Sequence, residues 1–408
     1  MTGINLCFLV ELMKLISVEN ACEIIFNQNI DFGIEQVGVE NSLGRIMAED
    51  LVADRDFPPF DRVTMDGIAI NFENYSEGIR SFKIEGLHAA GEVQVQLGAN
   101  NVCLEVMTGA CLPQNADTVV RYEDLDILKN EAKILVDLRK GQNVHLKGSD
   151  CKSGTVIVKS GKKINAGDLA IAATIGKLNI KVKKLPKVVV VSSGDEIVAI
   201  HEVPLPHQIR GSNVYAIQGL LSNLGIRGDY MHCADDLNST IKKIKDAIEG
   251  YDILILSGGV SMGKKDYIPE ALALSGVKKL FHKIAQKPGK PMWFGRSENT
   301  LVFALPGNPV STFMCTLRYV LPWIQHCLGL KIEAFKAVLA EEVHFKPSLT
   351  YFLQIKLKNE DGIWMAYPVS HHGSGDFINL SEANGFLELP QRINETYEKG
   401  EVFTIYSF

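Results

Sequence analysis

Two hydrophobic periods alternate along the second half of the chain. Short apolar runs at Val188–Val191, Ile226–Met231, Ile253–Leu256 and Thr300–Leu305 read as strands. Between them the apolar spacing lengthens to that of a helix. Val214, Ile217, Leu220, Leu221 and Leu224 share one face of a helix starting at Asn213, and Ile241, Ile244 and Ile248 share one face of the next. A third helix covers about 268–275, and a long apolar one begins near Pro309. Strand and helix in alternation imply a mostly parallel sheet covered on both faces.

The flanking regions read differently. Ser17 is placed to cap a helix running through about Phe26, with Ile24 and Ile25 on its buried side. A second short helix is expected around Asn41 to Asp50. From about 57 to 150 the chain carries many glycines and alternating runs such as Val93, Val95 and Leu97, the pattern of a β-rich module. The stretch 151–184 is rich in Gly and Lys, with a helix near Asp168 to Gly176, and connects modules. Beyond about 334, Thr350–Leu357, Gly362–Tyr367 and Glu401–Tyr406 read as strands of a small β-domain. The first twelve residues hold an apolar patch, Leu6, Phe8, Leu9 and Val10, on which no polar cluster depends, so their deletion is expected to cost little activity.

At 408 residues the chain has room for two to four domains. Its 46% hydrophobic and 22% charged residues exclude a disordered chain. A net charge of −6 supplies no overall basic field, which argues against nucleic-acid binding but leaves room for lysines gathered in one cleft. The eight cysteines form no C-x-x-C pair and no zinc-type spacing, so reduced, packed thiols in a cytoplasmic protein are expected. No apolar stretch is long enough for a membrane span.

Three small-residue turns follow strands of the one parallel sheet: SSGDE at 192–196, SGGVSMGKKD at 257–266 and PGNPVS at 306–311. Loops beyond strand carboxyl ends meet at one crevice, and glycines there let backbone N–H groups approach an anion. None is a Walker A or G-x-G-x-x-G sequence, so ordinary NTPase and nicotinamide chemistry lose support. Between the last two lies HKIAQKPGKP at 282–291, with Lys283, Lys287 and Lys290 stiffened by Pro288 and Pro291. Facing these cations, Asp195, Glu196, Asp235, Asp236 and Asp266 stand at or near loops after strands. Carboxylates opposite a phosphate suit a bridging Mg²⁺. In the β-rich module, FPPFDRVTMDG at 57–67, Thr108-Gly109-Ala110 and GQNVHLKGSD at 141–150 are polar turns. No histidine metal spacing is present, and no Cys–His pairing that would support a hydrolytic nucleophile emerges.

Taken in order, PFDRVTMDG, MTGACLP, GQNV…GSD, SSGDEIV, Ala234-Asp235-Asp236, SGGVSMGKKDY, KIAQKPGKP and PGNPVS resemble the molybdopterin molybdenumtransferases, the molybdenum insertases related to the gephyrin E-domain. The resemblance runs from about Leu15 to the C-terminus. It implies a multidomain α/β plus β protein. A three-layer α/β pterin-binding domain (13–34 and 182–333) would join a linker domain (35–56 and 151–181), a β-rich domain (57–150) and a C-terminal small β-barrel-like domain (334–408). It implies a Mg²⁺-dependent homodimer that takes adenylylated molybdopterin and molybdate, inserts the metal and releases AMP. By motif, Asp66, Asp150, Glu196, Asp235, Asp266, Lys283 and Lys287 fall on positions used for activity, with Glu196, Asp235 and Asp266 toward the metal. Thr108, Ser193, Gly194, Gly258, Gly259, Ser261, Lys290, Pro291, Pro306, Gly307, Asn308, Ser311 and Ser374 fall on substrate positions.

The sequence departs from the family at two places. The family's R-x-x-G-E-D reads His145-Leu146-Lys147-Gly148-Ser149-Asp150 here, and an arginine often found in the C-terminal domain is missing from Leu349–Gln354. An arginine is a bidentate oxyanion ligand, so its loss points to weaker molybdate binding. A gephyrin-like scaffold without catalysis and another nucleotide-dependent transferase on the same α/β domain are the competing readings.

Overall fold

A computed structural model describes residues 15–98, 100–260, 267–332, 334–370 and 373–408. The N-terminal patch at Leu6 to Val10 lies outside them. Ser17 caps the first helix, Val18–Phe26, accepting the Asn20 N–H at 3.1 Å. That helix buries Val18, Ala21 and Ile25 against the α/β core, with Ile24 partly covered.

The α/β core is a six-stranded sheet. Its order is Asp229–Cys233, Val188–Ser193, Ile253–Ser257, Leu301–Leu305, Trp293–Arg296 and Lys278–His282. The first four strands are parallel, and the last two are joined to them and to each other by antiparallel pairings. Alternate side chains enter two separate cores. Val188, Val190, Ile253, Ile255, Leu301 and Phe303 pack with the Asn213–Ser222 helix, the N-terminal helix and the helices after Pro309. Val189, Val191, Leu254, Leu256, Val302 and Ala304 pack with helices Leu237–Gly250 and Ile268–Leu274. This split makes three layers, and a strand buried on both faces explains why these segments read as unbroken apolar runs.

The β-rich module holds a second six-stranded sheet, from Thr118–Arg121 through Gly67–Ile70, Val102–Val106, Ser81–His88 and Glu131–Ile134 to Leu125–Leu128. In the C-terminal domain Thr350–Glu360, Ile363–Pro368, Phe335–Leu339, Val402–Ser407 and Gly385–Leu389 close back on Thr350–Glu360 as a five-stranded barrel. Gln286–Lys287 leaves the α/β domain to pair with Thr350 and Tyr351 on that barrel. Arg318 crosses the same boundary to Glu388 at 2.9 Å, and the Tyr406 hydroxyl donates to the same carboxylate at 2.7 Å. Among the described residues no helix is long and apolar enough to cross a membrane.

Two expectations are corrected. Asn41 to Asp50 is not helical beyond a short 3₁₀ turn, Val39–Asn41. Its backbone is committed elsewhere: the N–H groups of Met47 and Ala48 bond Lys162 and Lys181 carbonyls at 2.9 and 2.8 Å, and Gly44 takes φ +77°. The long helix after Pro309 is three pieces, Pro309–Cys315, a π-helical turn Thr316–Val320, and Leu321–Cys327. Pro322 has no N–H to give the preceding turn, which widens there.

Candidate active site

The connection from Val188–Ser193 runs to the edge strand on one side, and the chain then crosses back to Ile253–Ser257 on the other. Strand order reverses at this point, and the loops leaving the two carboxyl ends part to open a cleft of about 520 Å³. Ser193, Gly194 and Glu196 line it from the first loop, Gly258, Gly259 and Val260 from the second, and Pro306, Gly307 and Asn308 from the third. Asp235 and Pro291 complete the expected members. Gly258 sits at φ +103°, and a Cβ there would lie 3.1 Å from the Ser193 carbonyl. The two loops therefore approach backbone to backbone, which only glycine permits.

Sequence reasoning missed Asn213 and Arg210, which also line the cleft. Asn213 Nδ2 donates to Ser257 Oγ and to the Gly307 carbonyl, both at 2.9 Å, so one amide fastens the second and third loops together. An asparagine opening a helix after a Gly-Ser pair was the available signal. Beneath the second loop, His282 Nε2 lies 3.3 Å from the Val260 carbonyl. Burial lowers the pKa of His282 and favours its neutral ring, against the opposing pull of that carbonyl bond.

The remaining predicted residues fall around this cleft or away from it. Ser311 is buried in the first turn of the helix that follows the third loop. Ser374 reaches over from the C-terminal domain, accepting Asn308 Nδ2 at 2.8 Å, while its carbonyl accepts the Val310 N–H. Lys283, Lys287 and Lys290 stand in the neighbouring loop, of which only Pro291 lines the cleft. Lys287 is exposed, its ammonium 5.8 Å from the Phe345 ring centroid of the barrel. Ser261 and Asp266 lie outside the described residues. Among the described residues no trio of metal-ligating side chains is gathered, but Glu196 and Asp235 share the cleft.

Asp66, Thr108 and Asp150 lie outside this cleft, in and beside the β-rich module, where Asp66 and Thr108 are bonded to each other and Asp150 is bonded to His145. Asp66 Oδ1 accepts the Thr108 N–H at 2.6 Å and its hydroxyl at 2.7 Å. The backbone N–H, and then the hydroxyl, hold the Asp66 carboxyl below the usual carboxylate range. Gly67 fixes the turn: a Cβ there would meet the Val120 carbonyl at 1.8 Å. At the opposite end of the α/β sheet a cleft of similar size, about 530 Å³, is lined by Lys184, Lys187, Tyr251 and Asp252.

The chain matches three family models end to end: the MoeA N-terminal region (domain I and II) over 16–176, a probable molybdopterin binding domain over 189–326, and the MoeA C-terminal region (domain IV) over 336–408. It belongs to the molybdopterin molybdenumtransferase family. A protein of that name from Synechocystis is 42% identical over 97% of this chain and 100% of its own length. Another from Staphylococcus aureus is 34% identical over 93% of each. A molybdopterin biosynthesis moea protein from Pyrococcus horikosii superposes with a TM-score of 0.84 at 32% identity, covering 97% of this chain and 99% of its own. These likenesses make this chain a transferase of molybdenum cofactor biosynthesis, and the scaffold reading is not favoured.

The Asp66 geometry yields a titration. Thr108→Val removes the hydroxyl donor, so the Asp66 carboxyl pKa rises. In the parent the charge is lost only as pH falls through a depressed value, and in the variant it is lost at higher pH. Carboxyl ¹³C shifts followed through an acid titration measure this, and superimposable curves would remove the hydroxyl from the account.

Proposed function

We propose that this enzyme takes adenylylated molybdopterin and molybdate, cleaves the phosphoanhydride, releases AMP and leaves molybdenum on the dithiolene. The observation that supports this most is the meeting of three Gly-containing loops at the strand-order reversal. Glycine turns, hydroxyls and two carboxylates in one cleft suit a pterin phosphate and a second oxyanion. Lys283 and Lys287 neutralise charge that builds on the transferring group, and Ser311 and Ser374 bound the molybdate position. Glu196 and Asp235, with Asp266 assigned to the same role by its motif, are the hard oxygen donors that would hold Mg²⁺. That ion takes one or two carboxylates and fills its other positions with water and phosphate oxygens. When bound it supplies positive charge to the phosphate.

The working unit is a homodimer. Asp66, Thr108 and Asp150 do not line the cleft of the α/β domain, so a second copy supplies them to it.

Purified protein given adenylylated molybdopterin and molybdate should release AMP, stop with chelator and recover with Mg²⁺. Recovery with Zn²⁺ but not Mg²⁺ would contradict the carboxylate reading. Lys287→Ala should lower kcat about 10²-fold, the usual cost of one transition-state charge contact. Mixing Asp66→Asn with Lys287→Ala protein should restore partial turnover, because half the sites in a heterodimer then hold both native residues. No rescue in a verified heterodimer would place both residues in one chain.

A further inference from the structure

His145 stands where the family resemblance expects an arginine, yet a guanidinium is present. Arg62 and His145 face each other across the antiparallel pair Arg62–Val63 and Val144–His145. Arg62 Nη2 lies 2.9 Å from His145 Nδ1, and His145 Nε2 lies 2.7 Å from Asp150 Oδ1. An arginine can only donate, so Nδ1 must accept and the ring proton must sit on Nε2, pointing at the carboxylate. The roles along the chain are thereby forced.

We propose that Arg62 and His145 are positioning residues for Asp150, a relay that returns guanidinium charge to this site from the opposing strand and fixes one carboxylate oxygen. This rests on the reading of Asp150 as a residue of the active site. The rest of the turn is held independently. The Asp150 N–H bonds the Phe57 carbonyl at 3.0 Å, the Lys147 N–H bonds Asp61 Oδ1 at 2.8 Å, and the Ser149 hydroxyl reaches Asp150 Oδ1 at 3.5 Å. Among the described residues Oδ2 takes no hydrogen bond, which leaves it to meet a ligand. A direct arginine at position 145 would give its charge to the carboxylate or to an anion. The relay instead spends its Nε2 donor on the carboxylate, and its Nδ1 faces the Arg62 guanidinium.

The test combines turnover with a tautomer measurement. In ¹⁵N-histidine-labelled protein, His145, assigned by its loss in H145Q, should show the Nε2-protonated tautomer, and R62Q should release it. R62Q and H145L should lower kcat for AMP release about tenfold, since hydrogen bonds to a charged group carry that much. H145Q should recover most of what H145L loses, because an amide both accepts and donates. If R62Q and H145L turn over like the parent while Asp150→Asn is inactive, the relay is wrong and the site reading stands. If Asp150→Asn itself turns over normally, the site reading fails and the relay falls with it. Should H145L not fold, an Nδ1-protonated ring in the parent protein overturns the relay by itself.

Discussion

The reversal of strand order between Val188–Ser193 and Ile253–Ser257 is the constraint on which the site depends. Parallel strands force every connection through a helix, and where successive connections leave in opposite directions nothing fills the space above the carboxyl ends. Ser192 and Ser257 are paired in register, so the two glycine turns begin at one level. The crevice is then narrowed by contacts that a regular sheet does not provide. Asn213 ties the second loop to the third, and Ser374 ties the third to the barrel domain. The site is therefore a property of the domain junction as much as of the sheet.

That junction also explains the placement of the lysines. Gln286 is fully buried; its Oε1 accepts from the Tyr319 hydroxyl and its Nε2 donates to Cys315 Sγ at 3.5 Å. The flanking Lys287 is left exposed while its backbone joins the barrel. A loop anchored this way presents its cations from a fixed frame without burying them, which avoids the cost of desolvating an ammonium group. The Thr316–Val320 π-turn brings Tyr319 and Arg318 to this boundary on consecutive residues.

Much of this was legible from the residues alone, where local chemistry decides. Ser17 announced its helix, the doubly buried strands announced themselves as apolar runs, and the cleft residues Ser193, Gly194, Gly258, Gly259, Pro306, Gly307 and Asn308 could be named from turns that follow strands. Where long-range pairing decides, the residues were silent. The backbone at Met47 and Ala48 is claimed by partners more than a hundred positions away, so a helix reading there could not succeed. Lys278–His282 and Trp293–Arg296 add antiparallel strands without any local mark, and the short Gln286–Lys287 strand exists only because the barrel offers an edge. Asn213 looked like an ordinary helix start, since its bonds are to loops that only the fold brings near.

The central claim is that the substrate occupies the cleft at the strand carboxyl ends and not the similarly sized cleft at the opposite end of the sheet. A crystal structure with adenylylated molybdopterin and molybdate bound tests this directly. The account predicts the pterin phosphate against the Ser193–Glu196 and Ser257–Val260 loops, with Glu196 and Asp235 facing the diphosphate. Ligand density beside Lys184, Lys187 and Tyr251, with the upper cleft empty, would contradict it.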